Sequence, residues 1–319
     1  MAGLDTKILT TDYNDIQKLI AAVMGSGGTN PTTLVADATY GYNQTLSSSQ
    51  LSTTAATQIS VAQWTALRSD IVKARQHQGS GTIDTKGVSD AGYVAGSSLL
   101  LPTTSYKITE ADRAAYSTMA TSAINNRLVK PPTTEATRDS LSAATYTSSW
   151  NATITNTVTI AFASDAVATY FFNSGSTIDI SASRTGGTTT TKNTSWNNML
   201  ANMGIISLGR SGTTSSGSSP GTISSTIGYY QLTTTDQLLV NKATENVTYN
   251  PNQYTVNVRK SGLNVIFTIR FIDSSGQPNP PWGTDETIDG TITSKVEAYR
   301  SSGSNVSVTG PTFVSSSFA

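Results

Sequence analysis

The chain has 319 residues, of which only 13% are charged, about half the usual ~25% share, and its 20 basic and 20 acidic residues cancel to a net charge of +0. That balance speaks against nucleic acid as a partner, because neutralising phosphates needs a Lys/Arg surplus on one face, and no apolar run approaches the ~20 residues a membrane-spanning helix requires. There is no cysteine, so disulfides and thiolate metal sites are excluded.

The missing charge is replaced by Thr, Ser, Asn and Gly. Strong disorder usually combines high net charge with few aromatics, whereas this chain is neutral and has 13 Tyr, 7 Phe and 4 Trp. A folded chain solvated by hydroxyls and amides is expected, with β-branched Thr suited to strands. Met1–Lys7 lacks a basic stretch followed by an apolar one, so no export signal is expected.

In chain order, residues 11–24 predict a helix, with Tyr13, Ile16, Leu19, Ile20 and Val23 in one apolar stripe. Thr11 or Asp12 can cap its start and Gly25 can end it. A second helix is predicted over 61–77. Ser60 and Gln63 form a capping box, Val61, Trp64, Leu67, Ile71 and Ala74 make the inner face, and Asp70, Lys73 and Gln76 fall outside. A third runs near 110–128 behind Thr109. Glu110 and Asp112 in its first turn suit the helix dipole; its stripe is Ala115, Met119 and Ala123, and Pro131-Pro132 stop it.

From about residue 144 the period changes to two. Strands are predicted over 152–162, 177–183, 205–209, 224–232, 236–243, 253–260, 263–272, 287–299 and 304–308. The alternation is strongest at 263–272, where Val265, Phe267, Ile269 and Phe271 share a face, and Lys260-Ser261-Gly262 reads as a hairpin turn before it. Two helices interrupt the strands: 164–173 behind Ser164, and 194–203 from Thr194, with Trp196, Met199, Leu200 and Met203 as core. The stretch 210–225 reads as a flexible loop or an insertion ordered by a neighbouring subunit, and 309–319 as an edge strand or a segment docked on another chain. The fold class is therefore α+β. A small helical N-terminal region with long loops (1–140) precedes a mainly β, sandwich-like antiparallel body (144–319) with two short helices.

Catalytic chemistry is hard to assemble from these residues. The single histidine, His77, ends the second helix, where a solvated imidazolium capping the last turn is the expected role. Gly217-Ser218-Ser219-Pro220-Gly221 matches Gly-x-Ser-x-Gly in form, but no helix pattern follows it and a Pro lies beside the Ser, so it is no nucleophile elbow. No phosphate-binding glycine loop occurs. The best binding candidates are Trp282, Asp285, Glu286 and Asp289: the carboxylates could hold Ca²⁺ or act on a glycan, with Trp282 stacking on a sugar. An acidic loop anchored by an aromatic is the more ordinary use of such residues. No catalytic residue, cofactor or resident metal is expected.

Several segments resemble virion structural proteins of tailed phages, cyanophages especially. They are VTIAFASDAVATYFFNSGSTIDISASRTGG (158–187), KNTSWNNMLANMGIISLG (192–209), STIGYYQLTTTDQLLV (225–240), YGYNQTL (40–46), SVAQWTALRSDIV (60–72) and SGSNVSV (302–308). The resemblance implies a non-enzymatic component of the tail, neck or baseplate. It would be assembled in the bacterial cytoplasm, reside in the virion, and contact copies of itself in a symmetric oligomer and other virion proteins. It carries packing and turn residues and no active site. A tail-fibre adhesin binding host glycans through exposed aromatics, or a capsid decoration protein, is the alternative. The extended segments 28–58, 79–108 and 309–319 exceed ordinary loop lengths of ~12–15 residues and are expected to become ordered against another subunit.

Overall fold

The computed structural model describes residues 8–53, 59–79, 108–246, 249, 251–275 and 287–319. The fold is α+β with a mainly β body, and every strand pairing given by its register is antiparallel. The chain divides into two compact units. One comprises Met1–Thr137, Thr169–Gly175 and Ser301–Val308; the other comprises Arg138–Ala168, Ser176–Arg300 and Thr309–Ala319.

The first unit is built on three helices, α1 (Thr10–Met24), α2 (Val61–His77) and α3 (Glu110–Asn125). Their caps follow from the sequence. Ser60 accepts from the Gln63 N–H while the Gln63 side chain accepts from the Ser60 N–H, and Thr109 and Asp112 reciprocate in the same way. In α1 the cap shifts outward to Leu9, whose N–H donates to Asp12 at 2.7 Å. The helices meet through aromatic edges: Tyr13 lies 5.4 Å from Trp64, and Trp64 lies 4.9 Å from Tyr116.

That stack corrects the predicted face of α3. The inward residues are Asp112, Tyr116, Ala120 and Ala123, with Ala115 and Met119 half-buried. Seating one large aromatic ring removes far more apolar surface than seating small side chains, so Tyr116 sets the rotation of the helix. In α1, Gln17 is buried where Leu19 is only partly so.

The loops of this unit are tied to its helices. The predicted ordering of 28–58 against another subunit does not hold for 28–53, which the chain orders internally. Here β1 (Gly28–Thr29) pairs with β2 (Ala36–Asp37). Asn14 accepts from the Leu51 N–H and donates to the Leu51 carbonyl. The Asn173 amide, at the end of α4 (Asp165–Asn173), donates to the Ala38 and Tyr40 carbonyls at 2.8 and 3.0 Å. Residues 54–58 and 80–107 lie outside the described residues.

The second unit holds two sheets. The larger has the order β13-β4-β11-β10-β9-β8, with β4 at Thr153–Ala161, β8 at Thr222–Ile223, β9 at Gln237–Ala243, β10 at Gln253–Ser261, β11 at Asn264–Ile272 and β13 at Thr312–Phe318. The smaller has the order β3-β12-β5-β6-β7, with β3 at Ala136–Tyr146, β5 at Thr177–Thr185, β6 at Ile206–Leu208, β7 at Thr213–Ser215 and β12 at Thr291–Ser301. As the alternation requires, Val265, Phe267, Ile269 and Phe271 of β11 are fully buried. They sit in rows between Ile160, Val158, Asn156 and Ile154 of β4 and Lys260, Val258, Val256 and Tyr254 of β10. The turn before β11 is a two-residue hairpin closed by Ser261 opposite Asn264.

Ser164 caps α4 through the Val167 N–H. The helix predicted from Thr194 starts earlier, as α5 (Thr191–Met203), because Thr190 takes the cap by accepting from the Asn193 N–H. Trp196 on α5 packs edge-on against Trp150 at 5.0 Å and tilted on Phe271 at 6.3 Å, so the helix covers the β11 face.

Four expectations change here. Strand β3 begins at Ala136, inside the stretch read as helical, because only Leu141 and Ser142 of it are buried and no apolar alternation marks it. The segment 210–225 is a loop that carries two short strands, β7 and β8, and turns where Gly217 lies against α5, a Cβ there meeting the Asn202 and Met203 carbonyls at 2.2 Å. Residues 224–232 form a short 3₁₀ turn (Tyr229–Gln231) instead of a strand. Residues 304–308 form no strand, only the Ser302–Ser307 bridge, and Asn305 donates to Glu135. The segment 309–319 takes the edge-strand option as β13 on β4.

Candidate functional site

Of the four residues singled out for ligand contact, Trp282, Asp285 and Glu286 lie outside the described residues. Asp289 is placed at the entry to β12. Its carboxylate accepts from the Thr188 N–H (3.0 Å), the Thr188 hydroxyl (3.1 Å), the Asn193 amide (2.6 Å) and Arg184 Nη2 (3.0 Å), and its carbonyl accepts from Arg184 Nε at 2.6 Å. Partial burial pushes the carboxyl up, but the bonds from Thr188, Asn193 and Arg184 prevail and hold it below the usual Asp range. Gly187 permits the closure, since a Cβ there would sit 2.6 Å from Asp289 Oδ1. Asp289 thus clamps the turn between β5 and α5 onto β12. All four donors converge on Oδ1, and Oδ2 shares only the Thr188 N–H at 3.1 Å.

Three further polar constellations were not legible from spacing. The first is an ion pair inside the second unit: Lys192 Nζ of α5 lies 2.5 Å from Asp273 Oδ2, just past β11, with both side chains at most 1% exposed. Ser275 donates to the other Asp273 oxygen through its hydroxyl at 2.8 Å. Taking two charges out of water costs several kcal/mol per ion, repaid only by close geometry and added hydrogen bonds. This pair therefore anchors α5 to the end of β11.

The second runs across the smaller sheet. Asp179 of β5 stands opposite Glu297 of β12, a like-charge pairing that is unfavourable alone. Arg138 of β3 spans it, 2.8 Å from Asp179 and 3.8 Å from Glu297, and lies over the Tyr299 ring at 4.9 Å. Thr177 and Ser207 donate to the second Asp179 oxygen, each at 2.7 Å. The third is an open depression of about 260 Å³ beside α5, lined by hydroxyl and amide groups such as Thr194, Ser195 and Asn198, with Glu245 at its rim. Glu245 is already paired with Lys242 at 2.6 Å.

In the first unit, two predicted surface groups are interior. Asp70 is buried and accepts from the Ser47 N–H, the Ser48 N–H and the Ser48 hydroxyl at 3.0, 2.8 and 2.7 Å. Tyr13, buried beside it, has its phenol pushed up to about 12 by desolvation and by the Asp70 charge. His77 is also not the solvated cap expected of it: it is fully buried, with Nε2 3.0 Å from the Ser174 carbonyl and its ring edge-on to Tyr42. A carbonyl can only accept, so Nε2 carries the proton and the neutral ring leaves Nδ1 bare. Nδ1 has no partner among the described residues. Burial pushes the imidazole below its ordinary value, against the opposing pull of the Ser174 bond and Glu135.

No protein-family model, no curated protein and no solved structure matches the chain. The chemistry is therefore read from the geometry alone: the interior ionisable groups described above are each bonded to backbone or to an opposite charge. Such groups position chain segments. No group of three or more His, Asp or Glu side chains poised around a metal occurs among the described residues.

Proposed function

We propose that this chain is a non-enzymatic structural component of a tailed-bacteriophage virion, from the tail, neck or baseplate region, working through contacts with its own copies and with other virion proteins. The observation that carries the reading is how the interior polar groups are used. Asp70 holds the 47–48 loop, Asp289 the 187–188 turn, Asn173 the 38–40 loop, and Lys192 with Asp273 fixes a helix to a strand end. Charge spent in this way makes irregular segments rigid, as an assembly part requires. The two longest segments that resemble phage virion proteins cover the end of β4, all of α4, β5 and β6, and nearly all of α5, and many of their apolar residues are buried, among them Val158, Ile160, Phe162, Phe171, Ile178, Ile180 and Trp196. A resemblance carried by such positions concerns packing, in keeping with a structural role.

The test is quantitative mass spectrometry of gradient-purified particles of the encoding phage, with heads and tails separated. The chain is expected in the tail fraction at a fixed, repeated copy number. Absence from purified particles, with the chain left in the host lysate, would remove the reading.

A further inference from the structure

We infer that β13 is a self-association edge, on which a second copy of this chain adds its own β13 antiparallel about a two-fold axis through Ser316. This deepens the assembly reading and rests on it for its biological meaning, not for its geometry. Edge strands present unpaired backbone groups, and proteins blunt them by shortness, charge or bulges. The other three edges of the two larger sheets are blunted: β8 has two residues, β7 has three, and β3 carries Arg138 and Asp139. By contrast, β13 has seven residues with a single bulge near its start, and the whole stretch 309–319 contains no charged side chain.

The backbone restricts the register. Ala319 exchanges both backbone hydrogen bonds with Thr155 on the β4 side, each at 2.8 Å. Residues of a strand alternate in the direction their N–H and C=O groups point. Phe318 and Ser316 therefore turn theirs away from β4, where no strand lies among the described residues. A perpendicular two-fold makes one residue face its own copy: centred on Ser317 it would pair Ser316 with Phe318, and centred on Ser316 it pairs Ser316 with its own copy, the arrangement the side chains favour. Val314 of each copy then lies opposite Phe318 of the other.

The side chains suit that pairing. The register on β4 slips between Phe313 and Ser315, so Val314 is bulged, and Phe313 and Val314 are 49% and 51% exposed. Phe318 is already seated against Tyr146 and Phe271. Pairing would cover the exposed Val314 with the partner's anchored aromatic, twice by symmetry. It brings serines together at the axis with no like charges opposed, which makes the edge complementary to itself. The product is a continuous sheet running through both copies.

Sedimentation analysis of the full chain across a concentration series tests this. The unaltered protein is expected to form dimers, or even-numbered oligomers built from them. Val314→Lys sets a charge on the free edge. Ser316→Pro removes an outward N–H, a position where edge strands tolerate proline. Each is expected to weaken self-association by about tenfold or more with an unchanged far-UV circular dichroism spectrum. Leu238→Lys, on an equally exposed apolar residue of β9, is expected to leave association intact. If both edge variants associate like the parent, the β13 pairing is wrong although an assembly role survives through another surface. A parent that stays monomeric at every concentration, or whose β13 captures only a strand of a different protein, likewise overturns the self-pairing. Particle composition then decides the assembly reading separately.

Discussion

The two units stabilise irregular backbone in different ways. In the helical unit, polar side chains on regular elements reach out and hold loops: Asn14 holds residue 51, Asp70 holds 47–48, and Asn173 holds 38–40. In the sheet unit, strand alternation does most of the ordering, and buried charge serves to lock helix α5 and one turn onto the sheets. A loop without its own secondary structure must find partners for its N–H and C=O groups. The helical unit has only the two-residue β1–β2 pair as a sheet, so it supplies side chains instead. Two of the three tests of this contrast use the tryptophans each unit owns: Trp64 in the first, and Trp150, Trp196 and Trp282 in the second.

The largest effect is expected at Lys192. Lys192→Met leaves Asp273 charged and buried without its partner, and removing one member of such a pair costs about 3–5 kcal/mol. Denaturant unfolding should show the loss in the signal of Trp150 and Trp196. Adding Asp273→Leu should recover much of it, because the stranded charge disappears. If the single variant were as stable as the parent, buried charge would not be locking α5.

A smaller effect is expected at Asp70. Asp70→Ala leaves the Ser47 and Ser48 N–H groups unpaired, and losing hydrogen bonds to a charged acceptor costs about 1.5–3 kcal/mol. The loss should appear in Trp64 fluorescence during unfolding, with new protease cleavage between residues 44 and 53. Unchanged protection of that loop would show that its order comes from packing.

The smallest is a pH effect. His77 is neutral in the folded protein and its affinity for a proton is lowered by burial, whereas the unfolded chain titrates near ~6.5. Between that value and the lower folded one, the unfolded state binds more protons. Stability is therefore fully present above about pH 6.5 and falls as the pH drops below it, by up to about 1.4 kcal/mol per pH unit. His77→Gln should remove this slope while keeping a donor toward the Ser174 carbonyl. The lowered Asp289 carboxyl begins to act only below the ordinary Asp value, so the two onsets separate.

Much of the fold was legible in advance. α2 runs over Val61–His77 as its capping box predicts and buries Trp64, Leu67, Ile71 and Ala74 of its stripe though not Val61, and β11 buries the four residues that alternation assigns to one face. Both signals are local: a cap satisfies N–H groups three residues away, and a strand face repeats every second residue. Where the signal was weak, the reading failed. Strand β3 buries too few apolar residues to show a period, and the Thr/Ser/Gly run at 210–225 conceals two short strands flanked by glycines that serve close approach.

The candidate site was less legible for the same reason. Asp289 stood out as one of a cluster of acidic residues, yet its partners Arg184, Thr188 and Asn193 lie 96 to 105 residues away in the chain. Asp70 and His77 looked like surface residues because helical spacing specifies a face and not what covers it. Sequence alone determines the helices, the strand periods and the shortage of charge, since these depend on neighbours a few residues apart. Which polar groups become interior, and which sheet edge stays open, depends on segments brought together from across the chain, and so emerges only in the folded molecule.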